Sequence, residues 1–149
     1  MSHIAILSRV LSVREIEKDQ AEKAHLSAKE RFENVARQFY TLLQKKERAE
    51  LQYEQAIANI SEIKKIKEQL TYIDQLNRDI VTLQQKVNQA RHKMEVKQEK
   101  LTAAYIEVKK FEKVIRNRLQ AREEIEKKKE QQFLDEISVR QYFDQKQVK

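Results

Sequence analysis

The sequence has no glycine and no proline in 149 residues, where average usage would supply about eighteen. These two residues close helices and form tight turns, so almost nothing in this chain interrupts a helix. Very long α-helices are the expected form, and a rod of such helices offers no concave pocket for catalysis. The same absence excludes phosphate-cradling loops and dinucleotide fingerprints, both of which need glycine. There is no cysteine, hence no disulfide framework and no thiol chemistry, which fits a cytoplasmic protein. No run approaches the ~18–20 apolar residues that a membrane span needs. The opening stretch from His3 to Val13 is briefly apolar, but Arg9 interrupts it, Arg14 follows it and no cleavage site appears. No signal peptide is expected there.

What is present is charge and helix formers. Charged residues make up 37% of the chain and mean hydropathy is −0.85. Those values would suit disorder, but an apolar fraction of 40% argues against it. Ala, Glu, Lys, Leu, Gln and Arg dominate, and all favour helix. The net charge of +7 is biased modestly towards the second half of the chain. It is compatible with an acidic protein partner, nucleic acid or an anionic membrane surface, and selects none of them.

Heptad spacing organises the apolar residues. Steps of four and three from Ala21 read Ala21, His25, Ala28, Phe32, Val35, Phe39, Leu42, Lys46, Ala49, Tyr53, Ala56, Ile60, Ile63. Only His25 and Lys46 break this seam. Carried forward, the register fails at Lys67, Asp74, Asn77 and Gln84. A second seam opens in another phase: Ile73, Leu76, Ile80, Leu83, Val87, Ala90, Met94, Lys97, Leu101, Ala104, Val108, Phe111, Ile115.

A break between two strong seams is what a helical hairpin needs. Asn59 tolerates the left-handed conformation at a helix C-terminus, and Ser61 is a good N-cap. The spacing therefore predicts an all-α fold: a long antiparallel two-helix coiled-coil hairpin with a C-terminal helical overhang. Residues 1–149 form one elongated unit, with helix 1 over about 2–58, a turn at about 58–62 and helix 2 over about 62–145. Residue i should then face about 120 − i, which brings Phe32 to Asn88 beside Val87 and ends the second seam near residue 116. The paired section would be roughly 80 Å long and the overhang up to about 45 Å.

Histidines stand at positions 3, 25 and 92, with no ligand spacing between them, and no His, Cys or carboxylate cluster has metal geometry. A serine on an exposed helix has no oxyanion hole. No enzymatic activity, catalytic residue, cofactor, metal or small-molecule substrate is expected. The basic run Lys109, Lys110, Lys113, Arg116, Arg118, Arg122 is interrupted only by Glu112. It reads as a solvated helix face, as contact with an acidic partner, or as phosphate-driven binding to nucleic acid. No base-reading pattern accompanies it. Beyond a charged stretch, apolar residues return as Phe133, Leu134, Ile137, Val139, Tyr142 and Phe143, with no partner in the hairpin. They read as a frayed tail or as a helix that docks into another protein. Ile4, Ile6, Leu7, Val10, Leu11, Val13 and Ile16 make a stripe wider than a two-helix seam requires.

The termini also carry a resemblance. The opening from Leu7 through Val10, Leu11, Val13, Arg14 and Glu15, with Asp19 and Ala21, resembles the start of the flagellar FliJ family. The stretches Glu107–Lys113 and Asp135–Gln141 resemble that family too, and chain length and the hairpin break agree, so the resemblance covers essentially the whole chain. It implies a non-enzymatic, monomeric stalk component of the flagellar type III protein export apparatus. The protein would be cytoplasmic and peripherally associated with the inner membrane through that apparatus. Its implied partners are the hexameric export ATPase, the export-gate membrane protein and export chaperones, with no nucleic acid.

For the ATPase ring, the resemblance and the residues together point to Ile6, Val10, Val13, Lys109, Lys110, Lys113, Arg116, Arg118, Arg122, Phe133 and Ile137. For the gate, the family pattern Gln-x3-Leu-x2-Tyr-x3-Tyr is matched by Gln38 and Leu42, while Lys45 and Ala49 depart from it. The second pattern, aromatic-x3-Leu-x2-Ala-x3-His, is matched by Tyr72 and Leu76, while Asp79 and Leu83 depart. The competing classes are a generic cytoplasmic coiled-coil scaffold, the related stalk of a virulence type III secretion system, and a basic nucleic-acid-binding rod.

Overall fold

The structure is a computed structural model describing residues 3–59 and 62–147. It holds two helices, α1 (His3–Ala58, 56 residues) and α2 (Ile63–Gln147, 85 residues). They pack against each other, and no strand occurs among the described residues. The fold is an all-α helical hairpin. The absence of Gly and Pro accounts for the uninterrupted backbone, because no residue carries a helix penalty near 1 kcal/mol or above.

The connection is short. The Asn59 amide still donates to the Gln55 carbonyl at 3.1 Å, so the α1 ladder runs to its last residue. The Glu62 carbonyl accepts from the Lys65 and Ile66 amides at 3.0 and 3.3 Å. Glu62 thus holds the N-cap position of α2, where its negative charge also suits the helix dipole. The capping role expected of Ser61 lies outside the described residues, as does Ile60.

The chain divides into two compact units. Unit 1 joins Met1–Lys18 to Ala104–Lys149, and unit 2 is Asp19–Ala103. In unit 2 the buried residues are Val35 and Ala49 on α1 and Leu76, Val87 and Ala90 on α2. All five are seam positions. Every seam residue from Ala21 to Ala56, and from Ile73 to Met94, is at least half-buried, and the second seam reaches back to Ile66 and Gln69. Ile63 departs from expectation. It is 73% exposed, because it opens α2 and does not continue the α1 seam. The two helices run antiparallel here: Arg91 lies over the Phe32 ring at 5.7 Å, while Leu83 shares a cavity with Leu42. Arg91 is three residues beyond Asn88, so the expected register holds to within one helical turn.

In unit 1 a seam runs through Ile4, Leu7, Leu11, Arg14 and Lys18 on α1, all half-buried, and through Ala104, Val108, Phe111 and Ile115 on α2. Val108, at 3% exposure, is the most buried residue described. The pairing is again antiparallel, since Leu11 shares a cavity with Ile115 and Arg14 lies over Phe111. After Ile115 the positions Arg118, Arg122, Ile125, Lys129 and Gln132 are all exposed. No large side chain is fully buried among the described residues, as expected for a core one layer thick.

Candidate functional site

Two groups of surface residues invite a functional reading, one in each unit. In unit 1 the basic residues Lys109, Lys110, Lys113, Arg116, Arg118 and Arg122 are all exposed. Heptad spacing explains this, because the seam claims Val108, Phe111 and Ile115 and leaves the intervening positions to solvent. They are not equally free. Lys109 donates to the Glu112 carboxylate at 3.4 Å and its ammonium lies 5.4 Å from the Tyr105 ring centre. The hydrogen bond to Glu112, and secondarily that carboxylate's charge, hold the Lys109 pKa above its ordinary value. Lys109 thus stays charged, with that charge partly offset by the Glu112 carboxylate.

Beside this run an open cavity of about 360 Å³ lies between Leu11, Ile115 and Leu119, walled by Glu112, Arg116 and Glu123. Arg14, at a seam position, donates to Glu17 at 2.9 Å and its guanidinium lies 5.9 Å from the centre of the Phe111 ring. Its Nε is buried without a hydrogen-bond partner. Sequence reasoning missed this contact, since a lone Arg in a seam pattern does not say which ring it covers. Of the N-terminal stripe, Ile6, Val13 and Ile16 are exposed and Val10 is half-buried. The extra width of the stripe is thus surface.

The overhang continues as helix to Gln147. Between Arg116 and Glu136 every side chain is exposed, and among the described residues beyond that point Ile137 alone is half-buried. Glu123 and Glu124 stand four residues before Lys127 and Lys128, the spacing and order that support a solvated helix. At 100° per residue, Phe133, Leu134 and Ile137 share one side of the helix, whereas Val139, Tyr142 and Phe143 occupy the other. Tyr142 and Phe143 meet edge to face at 6.1 Å, and Lys146 lies over the Tyr142 ring at 5.1 Å. Apolar groups therefore stand on both sides of the tip, interleaved with Asp135, Glu136, Arg140, Asp144 and Lys146.

In unit 2, Gln38 and Leu42 line an open cavity of about 350 Å³ together with Arg37, Thr41, Lys45 and Leu83. Tyr72 is exposed. Leu76 is only 5% exposed; it belongs to the seam and presents little surface. No group of three or more His, Cys, Asp or Glu among the described residues could hold a metal ion. Among the same residues, no helix is long and apolar enough to cross a membrane.

Comparison with known proteins gives these surfaces a family. No solved structure matches the chain. A curated relative from Bacillus subtilis (strain 168), described as "Flagellar FliJ protein", is 31% identical over 134 residues. That match covers 90% of this chain and 91% of the relative. The family model for the flagellar FliJ protein matches residues 3–147, which is almost the whole hairpin and its overhang, and the chain belongs to the flagellar FliJ family.

Proposed function

We propose that the protein is a non-enzymatic stalk component of the flagellar type III export apparatus, and that unit 1 enters the ring of the hexameric export ATPase. The observation that carries this reading is the tip of α2. A helix with apolar groups on one side fits a groove, whereas one that carries them on opposite sides, as Phe133 and Tyr142 do here, can be contacted from both. A ring supplies such surroundings. The exposed bases of Lys110, Lys113, Arg116, Arg118 and Arg122 lie nearer the seam, where they can meet acidic groups at a ring entrance and steer association.

A single helical element inside a six-fold ring touches the subunits unequally. Unequal contact biases ring assembly and the order of ATP hydrolysis, and this is the mechanism proposed. Gln38, Leu42 and Tyr72 then serve the export gate, with Leu76 supporting them from the seam, and export chaperones are further partners. The protein works as a monomer on the cytoplasmic face of the inner membrane, held there by the apparatus.

The test is charge reversal at three exposed positions, Arg116→Glu, Arg118→Glu and Arg122→Glu, in the full chain. Stimulation of the export ATPase should fall several-fold while helicity stays the same. Unchanged stimulation refutes the assignment of this surface.

A further inference from the structure

The two flanks of the helix pair in unit 2 differ in kind. With Phe32 and Val87 at a and Val35 and Ala90 at d, the e positions of the two antiparallel helices line one flank and the g positions the other. Two observations fix which is which. Arg91, an e residue of α2, covers Phe32 on the same side as the cavity lined by Phe32, Glu33, Ala36 and Tyr40. The cavity holding Gln38, Lys45 and Leu83 opens on the opposite, g flank.

Towards the turn, the e flank is both acidic and apolar. From α1 it receives Leu43, Glu47, Glu50, Glu54 and Ile57 at e and b positions, and all five are exposed. From α2 it receives Leu70, Asp74 and Val81, likewise exposed. Lys46 pairs with Glu50 at 3.7 Å, and Lys67 stands at the turn end. Glu47, Glu54 and Asp74 remain. A chain of net charge +7 thus carries a locally negative strip interleaved with four half-exposed aliphatic side chains. The strip from Leu43 to Ile57 is about 21 Å long, four turns of helix.

We propose that this flank is a docking site for a basic amphipathic helix of another protein, which completes a three-helix bundle with α1 and α2. The charge pattern decides the occupant. The incoming helix lays its apolar face on Leu43, Ile57, Leu70 and Val81, and Lys or Arg on its edges meets Glu47, Glu54 and Asp74. An acidic helix is repelled by the same groups, so the strip selects as well as binds. The proposal is independent of the ring contact, which belongs to unit 1, and of the gate residues Gln38 and Tyr72, which lie on the g flank.

The test uses the full chain and two labelled peptides of about 21 residues, one a Leu/Lys amphipathic helix and the other its Leu/Glu counterpart, followed by fluorescence anisotropy at physiological salt. The Lys peptide should bind saturably and the Glu peptide should not. Glu47→Gln, Glu54→Gln and Asp74→Asn together should weaken binding about tenfold, a loss of about 1.4 kcal/mol. Leu43→Asn with Val81→Asn should do likewise, and Lys45→Gln with Arg48→Gln on the g flank should change nothing. These positions are exposed, and unchanged helicity verifies the fold. Equal binding of the two peptides overturns the proposal, as does a triple amide variant that binds like the parent. So does a sedimenting dimer that dissociates on the same substitutions, because the occupant would then be a second copy of this chain.

Discussion

Leu76 and Leu51 are the same residue type in the same unit, but one lies in the seam and the other on the solvent face. Leu76 is 5% exposed and Leu51 53% exposed. Leu→Ala removes three carbon atoms, at about 0.8 kcal/mol of transfer free energy for each methylene buried. At Leu76 nearly all of that is lost, about 2.4 kcal/mol. A residual cavity adds to it, though a core one layer deep can partly collapse. The expected cost is about 2–3 kcal/mol. At Leu51 about half of the side chain is already in water, so at most about 1 kcal/mol is lost. No cavity forms, and the better helix propensity of Ala returns a few tenths of a kcal/mol. The expected cost is under about 1 kcal/mol. Urea unfolding followed by far-ultraviolet ellipticity measures both, with equal slopes required before midpoints are compared. Equal costs for the two variants, or a neutral Leu76→Ala, would refute the assignment of the seam.

Two further outcomes follow from individual side chains. Arg14→Leu should stabilise the hairpin by about 1 kcal/mol, measured by the same unfolding assay. It removes a buried unpaired Nε, worth about 1–3 kcal/mol of penalty. Against this it gives up an exposed ion pair and a cation–π contact of about 1 kcal/mol together. Phe133→Asp with Ile137→Asp should leave stability unchanged within about 0.5 kcal/mol, because both stand beyond Ile115, the last seam position, yet should abolish ATPase stimulation. A large loss of stability from that pair would mean that the overhang is part of the core.

The two seams were legible because a thin coiled-coil core has one repeating rule, and no Gly or Pro complicates it. Every seam position from Ala21 to Ala56 and from Ile73 to Ile115 is buried or half-buried. The charged seam residues were the harder part. Lys46 was visible as an interruption, but its tie to Glu50 and the stacking of Arg14 on Phe111 depend on rotamers that heptad spacing does not encode. Ile63 went astray for a related reason: its spacing fits the first seam, but the backbone has already turned and it opens α2. The end of the seam at Ile115 could be anticipated from where α1 begins. The candidate surfaces were legible as residue types, since basic and apolar residues off the seam must be exposed. Their partners were not, because a charged strip on a helix states the sign of what it binds and not its identity. Leu76 illustrates the limit, as a match to a contact pattern that the seam claims for itself.

The central claim is that α1 folds back along α2 of the same chain. The chain has no native cysteine, so a single pair can be introduced cleanly as Leu42→Cys and Leu83→Cys, two positions lining one cavity. Mild oxidation in dilute solution should yield a cross-linked species of single-chain mass that migrates anomalously until reduced. A disulfide-linked dimer in place of that species, where the helical signal is intact, would contradict the hairpin.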